Sequence, residues 1–306
     1  MTLFRTLDET SPGDGRIALG IEYHGGNYFG WQRLSHGPSV QGRLEQALSR
    51  VAAGPVRVLC SGRTDSGVHA SRQIVHFEAP AARSEKAWVM GTNANLPDDI
   101  SVRWARRMPD DFHARFSARA RRYRYLIANQ AVPPALDSTR VYWHRWPLDV
   151  ESMHQAAQVL PGEHDFSGYR AAGCQSRTPW RHVHFVEVRR FGPVVVVDIQ
   201  ANAFLLHMVR NIVGVLLSIG DGRQPIAWAR QVLEEGDRTR SAATAPPHGL
   251  HFVDVRYPDY ELPEEPLGPM LLYHTGEWTG DRPLPEDAWH RRSTPPLQSA
   301  ETLDVE

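Results

Sequence analysis

The densest chemical signal in the chain is the run Ser61-Gly62-Arg63-Thr64-Asp65-Ser66-Gly67-Val68-His69-Ala70, in which two glycines bracket an arginine and an aspartate. Glycine permits sharp turns and close approach. Such a loop can present Asp65 beside a fixed cation, the setting of a carboxylate that acts as nucleophile or base. Thr-Asp-Ser-Gly is equally the composition of an ordinary turn. A second signal lies between Phe112 and Tyr125, where Arg115, Arg119, Arg121, Arg122 and Arg124 interleave with aromatic rings. Guanidinium groups contact phosphates and rings stack on unpaired bases, so the mixture suits RNA. A solvated arginine face backed by core tyrosines would carry the same pattern. Strand alternation puts Arg121, Tyr123, Tyr125 and Ile127 on one face and Arg122, Arg124 and Leu126 on the other. A third signal is Arg210, near the start of a helix from about Leu206 to Ile219 that is apolar almost all round. A buried charge needs a partner. Asp65 is one candidate; the alternative is that Arg210 reaches solvent along its own stem.

Several chemistries lack their residues. His76-Phe77-Glu78 matches half of a zinc deaminase signature, but no Pro-Cys-x-x-Cys follows. Cys60 and Cys174 are the only cysteines and neither belongs to a Cys-x-x-Cys pair, which leaves no disulfide framework and no cysteine-based zinc site. Phosphate-binding Walker and dinucleotide fingerprints are absent too, so no nucleotide cofactor is indicated. No apolar run approaches the roughly 20 residues that cross a bilayer, and the first residues lack the basic-then-apolar order of a signal peptide. A soluble protein of a reducing cytoplasm is expected. The net charge of −1 hides an asymmetry: Glu261–Glu306 holds 10 acids against 3 arginines, which leaves the first 260 residues at +6. Only Lys86 among the 34 basic residues is a lysine, which favours bidentate phosphate recognition, although codon bias gives the same composition.

These groups must be positioned by secondary structure. A strand over Ile17–Tyr23, a helix opened by Ser39 and closed by Gly54-Pro55, strands over Val56–Cys60 and Gln73–Glu78, a helix near Glu85–Ala94 and a strand near Val102–Arg107 read as β-α-β-β-α-β. The same order returns from Arg121. It runs through a helix from about Val150 to Leu160, a hairpin at Phe191-Gly192-Pro193, the apolar helix, a short helix after Pro225 and a strand at Leu250–Arg256. The expected fold is therefore α+β: two split β-α-β (ferredoxin-like) halves, residues 1–112 and 113–262, joined through a central, mostly antiparallel sheet with a cleft between them. Residues 263–306 are acidic and proline-rich without a period, apart from scattered Leu271, Leu272, Trp278 and Trp289, and read as a weakly ordered tail.

Together these segments resemble the tRNA pseudouridine synthase A family. The resemblance rests on Gly62–His69, Gly25–Gln32, Asn93-x-Asn-Leu-Pro-Asp-Asp99, Phe112–Tyr125, Asp165-Phe166, Cys174-Gln-Ser-Arg-Thr-Pro-Trp-Arg181 and Met208-Val-Arg-Asn-Ile-Val-Gly214, and covers about residues 16 to 260. It implies the pseudouridine synthase fold, a homodimer, no metal or organic cofactor, and isomerisation of uridines 38, 39 and 40 in the anticodon stem-loop of tRNA. It further implies Asp65 as the essential carboxylate, Arg63 as the loop arginine, Tyr123 beneath the target base and Arg210 paired with the aspartate. Arg121, Arg115, Arg177, Arg181 and His69 are the remaining candidate substrate contacts. Ser66 stands where alanine is commoner, and Leu206 where a histidine is often seen. A related synthase acting on another RNA, or a non-catalytic RNA-binding protein, are the alternative functions.

Overall fold

The structure, a computed structural model, describes residues 13–272. Ile17, Leu19, Ile21 and Tyr23 alternate along β1 (Gly13–Tyr23) and are buried, as one face of a half-buried strand should be. Ser39 caps α1 (Val40–Ala52) by accepting the Gly42 N–H at 3.2 Å, and Val40, Leu44 and Leu48 join the core. The strand expected over Val56–Cys60 shrinks to β2 (Leu59–Cys60) because side chains of α1 take its donors. Ser49 Oγ accepts the Val56 N–H at 3.0 Å, and Glu45 Oε1 accepts that of Val58 at 3.1 Å. β3 (His69–Arg83), α2 (Glu85–Asn93) and β4 (Ile100–Arg107) complete the first half.

The second half repeats the order with additions. It contains β5 (Ala120–Asn129), β6 (Tyr142–His144), α3 (Val150–Ala157), β7 (Gly162–Asp165), β8 (Trp180–Phe191), β9 (Val194–Ala201), α4 (Met208–Gly220), α5 (Trp228–Glu235) and β10 (Leu250–Arg256). All the strands form one sheet in the order β4-β1-β3-β10-β5-β9-β8-β7, with β2 beside β3 and β6 beside β5. The last strand of the described residues thus lies at the middle of the sheet. β10 runs parallel to β3, with His251 opposite His69, and antiparallel to β5, with Phe252 opposite Tyr123. That seam joins the loop before β3 to the aromatic-arginine strand β5, two segments whose chemistry the sequence singled out separately.

Strand alternation on β5 holds, but its arginines do not form a solvated or phosphate-binding row. Arg122 donates through Nε and Nη2 to Asp198 at 2.7 and 2.6 Å, and Arg124 Nε donates to the same carboxylate at 3.0 Å; all three side chains are buried. Beside them Asp254 pairs with Arg72 at 3.0 Å and Arg256 at 2.6 Å. Burying such charges is tolerable because each is paired and hydrogen-bonded. Part of this network is closed by residues from beyond Pro263. Arg124 Nη1 donates to the carbonyls of Leu267 at 3.2 Å and Gly268 at 2.7 Å, Trp104 Nε1 donates to Glu265 at 2.9 Å, and Leu272 is buried against Leu126 and Val196. Residues 263–272, read from sequence as the start of a weakly ordered tail, therefore pack on the rear of the sheet. The remainder of that segment lies outside the described residues.

Three histidines stack across the seam. His69 sits 4.5 Å from His24 and 4.8 Å from His251, ring centre to ring centre. Its Nδ1 accepts the Gly25 N–H at 3.0 Å and its Nε2 donates to the His248 carbonyl at 3.1 Å, so both nitrogens are engaged inside the protein. Burial, reinforced by the neighbouring histidines, lowers His69 to about 3; burial lowers His251 to about 4 and His76, beside His113, to about 4. Unfolded, these rings take up a proton near pH 6.5; folded, only near pH 3 to 4. Between those values the unfolded chain binds more protons, so stability falls as pH drops. The thermal unfolding midpoint is expected to be lower at pH 5 than at pH 7, with each ring contributing up to about 2 kcal/mol. Equal midpoints at the two pH values would show that these rings are not held neutral.

Candidate active site

The Asp65 loop is held from several sides by backbone and side-chain groups of distant segments. Trp31 N–H donates to the Thr64 carbonyl at 3.0 Å, Thr64 Oγ1 pairs with the Tyr23 hydroxyl at 2.8 Å, and Gln73 Nε2 donates to the Gly62 carbonyl at 2.6 Å. Gly30, at φ 96°, lies so close that a Cβ there would stand 2.7 Å from the Thr64 carbonyl oxygen, and at Gly25 one would stand 2.0 Å from that of Val68. This explains the Gly25–Gln32 motif: it cradles the loop by backbone contact. Ser66 donates to the Tyr28 carbonyl at 3.2 Å and ties the loop to the same segment.

Asp65 Oδ2 lies 3.3 Å from Arg210 Nη1 and 3.4 Å from His207 Nε2. Arg210 is held by a second bond, Nε to the Ala245 carbonyl at 2.8 Å, while the Ala245 N–H returns to the Arg210 carbonyl at 3.1 Å. Gly214 permits that approach, since a Cβ there would be 2.2 Å from the Ala243 carbonyl oxygen. The cation beside Asp65 is therefore Arg210, from the far half of the chain. Arg63 is exposed, and among the described residues it has no hydrogen bond or ion pair. His207 was not among the residues that the sequence suggested. The helix starts at Met208 rather than near Leu206, with His207 as its left-handed first cap at φ 58°, and it was this backbone state that hid the residue. The one available signal was spacing: three residues before Arg210, a side chain falls on the same side of a helix start.

Tyr123 lies on the seam strand β5, stacked on Phe252 at 4.8 Å and edge-on to Phe204 at 5.1 Å. A side chain at Gly62 would meet its hydroxyl at 3.9 Å, so the phenol points toward the base of the Asp65 loop. Burial pushes its pKa well above the usual 10, with Tyr23 and Asp65 adding to the rise; the ring is a neutral phenol at pH 7. Asp65, Arg210 and Tyr123 are thus brought together from three separate segments.

The other candidates divide. Arg121 donates to the Ser61 carbonyl from Nη2 at 3.1 Å, to that of Asn202 at 3.0 Å and to that of Arg115 at 2.6 Å. It clamps the root of the Asp65 loop to β5 and has its donors engaged within the protein. Arg181 is likewise turned inward, to the Thr178 carbonyl at 3.0 Å and Ser176 Oγ at 2.6 Å, and His69 is buried in the histidine stack. The side chains of these three are hydrogen-bonded within the protein. Arg115 and Arg177 are exposed, and the Arg115 guanidinium lies 5.6 Å over the exposed Phe116 ring. Arg121 Nη2 donates to the carbonyls of both Ser61 and Arg115, which sets Arg115 beside the root of the loop that carries Arg63. The loop carrying Arg177 is tied to the start of α4, where Leu206 N–H donates to Cys174 Sγ at 3.4 Å and the Leu206 carbonyl accepts from Ala171 at 3.0 Å. Among the described residues no group of three or more histidine, cysteine or acidic side chains is placed to hold a metal, and no helix is long and apolar enough to cross a membrane.

A carboxylate paired with a cation thus lies on the same side of the sheet seam as a buried tyrosine, with exposed guanidiniums on the neighbouring loops. The family model described as tRNA pseudouridine synthase matches residues 20–117 and 156–258, and the chain belongs to that family of isomerases. Curated relatives bearing the name tRNA pseudouridine synthase A agree. One from Shigella boydii serotype 4 is 58% identical over 258 residues, 84% of this chain and 96% of its own length. One from Escherichia coli O1:K1 is 56% identical over 266 residues, 87% of this chain and 98% of its own. A solved chain from a Cbf5-Nop10-Gar1 complex overlays with a TM-score of 0.29 at 12% identity, over 66% of this chain and 45% of that one, too slight a likeness to argue from.

Proposed function

We propose that this isomerase converts uridines 38, 39 and 40 in the anticodon stem-loop of tRNA to pseudouridine, with Asp65 as the reacting carboxylate. The observation that carries this reading is the convergence of Asp65, Arg210 and Tyr123 beside the exposed guanidiniums of Arg63 and Arg115. In the reaction the bond from ribose C1′ to N1 breaks, the base turns, a bond from C1′ to C5 forms, and the proton on C5 leaves while N1 gains one. Product and substrate are isomers, so atoms and electrons balance without a co-reactant. Adding to C6, attacking C1′ or removing the 2′ proton each requires one oxygen of Asp65 aimed at the nucleotide and the base out of its stack. Opening the stack costs a few kcal/mol, which ring stacking and phosphate contacts offset. Tyr123 supplies the ring; Arg63, Arg115 and Arg177 supply phosphate contacts.

The enzyme works as a homodimer, one subunit helping to hold the tRNA whose uridine enters the other. The test is to incubate the purified protein with unmodified tRNA in the absence of added cofactors and to map pseudouridine along the product. Modification confined to positions 38, 39 and 40 is the expected result. Pseudouridine elsewhere in tRNA would overturn the anticodon assignment and leave the isomerase class standing.

A further inference from the structure

His207 holds a backbone conformation that a β-carbon resists, φ 58° and ψ 8°. The only other described non-glycine residue at positive φ is Ala53, which closes the C-terminus of α1, where left-handed caps are common. At a helix N-terminus the usual cap is extended and its side chain accepts a backbone N–H. His207 does neither; its side chain makes no cap bond. Capping therefore does not account for the conformation. What the left-handed turn does achieve is to bring Nε2 to 3.4 Å from Asp65 Oδ2, the same oxygen that Arg210 Nη1 reaches at 3.3 Å. Among the described residues Oδ1 has no hydrogen-bond partner. Strain concentrated at one residue beside a reacting group is the pattern expected of a positioning device.

We propose that His207 is a positioning residue for the isomerisation: with Arg210 it pins one oxygen of Asp65, so that the other is turned toward the uridine. The inference rests on Asp65 being the reacting carboxylate. Burial lowers the histidine's pKa, and the opposing pull of Asp65 is countered by Arg210 and Arg238, the charged groups that face it. The ring is therefore neutral near pH 7, and in the tautomer that carries its proton on Nε2 it is a donor toward Asp65. Contacts of this length in a free enzyme commonly tighten when substrate binds.

Two variants separate the donor from the backbone. His207→Gly accepts the left-handed turn freely but lacks a donor. Its single-turnover rate with saturating tRNA should fall about tenfold to a hundredfold, the scale of one hydrogen bond to a charged group. Its tRNA Kd should stay within about twofold of wild type and its unfolding midpoint should not drop, because a strained residue has been relieved. His207→Asn tolerates the same turn and retains an N–H donor, so it should recover several-fold of the lost rate. A His207→Gly rate within about twofold of wild type, a loss that appears in Kd instead of rate, or Asn no better than Gly would each overturn the role. An active Asp65→Asn enzyme would instead remove the reading on which it rests. An inactive Asp65→Asn beside a fully active His207→Gly would remove only His207.

Discussion

Asp65→Asn should abolish isomerisation, with a loss of at least about ten-thousand-fold in single-turnover rate, the scale seen when a reacting group is removed from an intact site. The amide keeps the size and shape of the carboxylate but neither adds to carbon nor takes a proton. The fold should survive the change. Asp65 is partly exposed, and Arg210 keeps its bond to the Ala245 carbonyl, so no cation is left buried and unpartnered. Affinity for tRNA should stay within a few-fold of normal, because the substitution removes no phosphate contact and takes a negative charge from beside the exposed Arg63. Rate and Kd measured at one fixed salt concentration check both halves. Substantial turnover by the variant would sink the assignment of Asp65.

How much of this site could be read beforehand differs from residue to residue, and the differences have physical causes. Arg210 was legible because an apolar helix cannot carry an unpaired guanidinium, and its contact with Asp65 meets that requirement. Arg121 and Arg181 have the residue type of phosphate contacts, yet both satisfy main-chain carbonyls, and carbonyl acceptors occur at every position of a sequence. Arg122 and Arg124 fell on the face that alternation gave them. Their partner Asp198 is 76 and 74 residues away, beyond the reach of any local pattern. His207 depended on one dihedral angle. Residues 263–272 are anchored by carbonyls of Leu267 and Gly268 and by Glu265, with no hydrophobic period to announce them. The two halves were legible as repeated element orders; that β10 would sit between β3 and β5 follows from pairing across the whole chain.

Replacing Tyr123 by phenylalanine should separate the two tasks proposed for its ring and its hydroxyl. The phenylalanine ring keeps its packing on Phe252 and Phe204, so tRNA binding should be nearly normal. The hydroxyl is what is lost. Once the new bond to C5 has formed, the C5 proton must leave, and in the proposed reaction the phenol, which points toward Gly62, is the group that takes it. Because burial keeps that phenol protonated, it accepts the new proton only as its own passes on, and since N1 takes up one proton in the isomerisation, none is gained or lost overall. Loss of such a relay should lower the single-turnover rate by roughly a hundredfold or more, the usual scale of general-base loss. It should also make proton removal slow enough to govern the rate, so uridine deuterated at C5 should react measurably more slowly in Tyr123→Phe than unlabelled uridine does. Tyr123→Leu fills much of the same buried volume, which avoids the cavity of an alanine, but offers no ring to the base. Its binding should weaken by a further 1–3 kcal/mol or so, the typical value of stacking between a base and an aromatic side chain. A Phe variant with unchanged turnover and no isotope effect would restrict Tyr123 to stacking and transfer proton removal to another group.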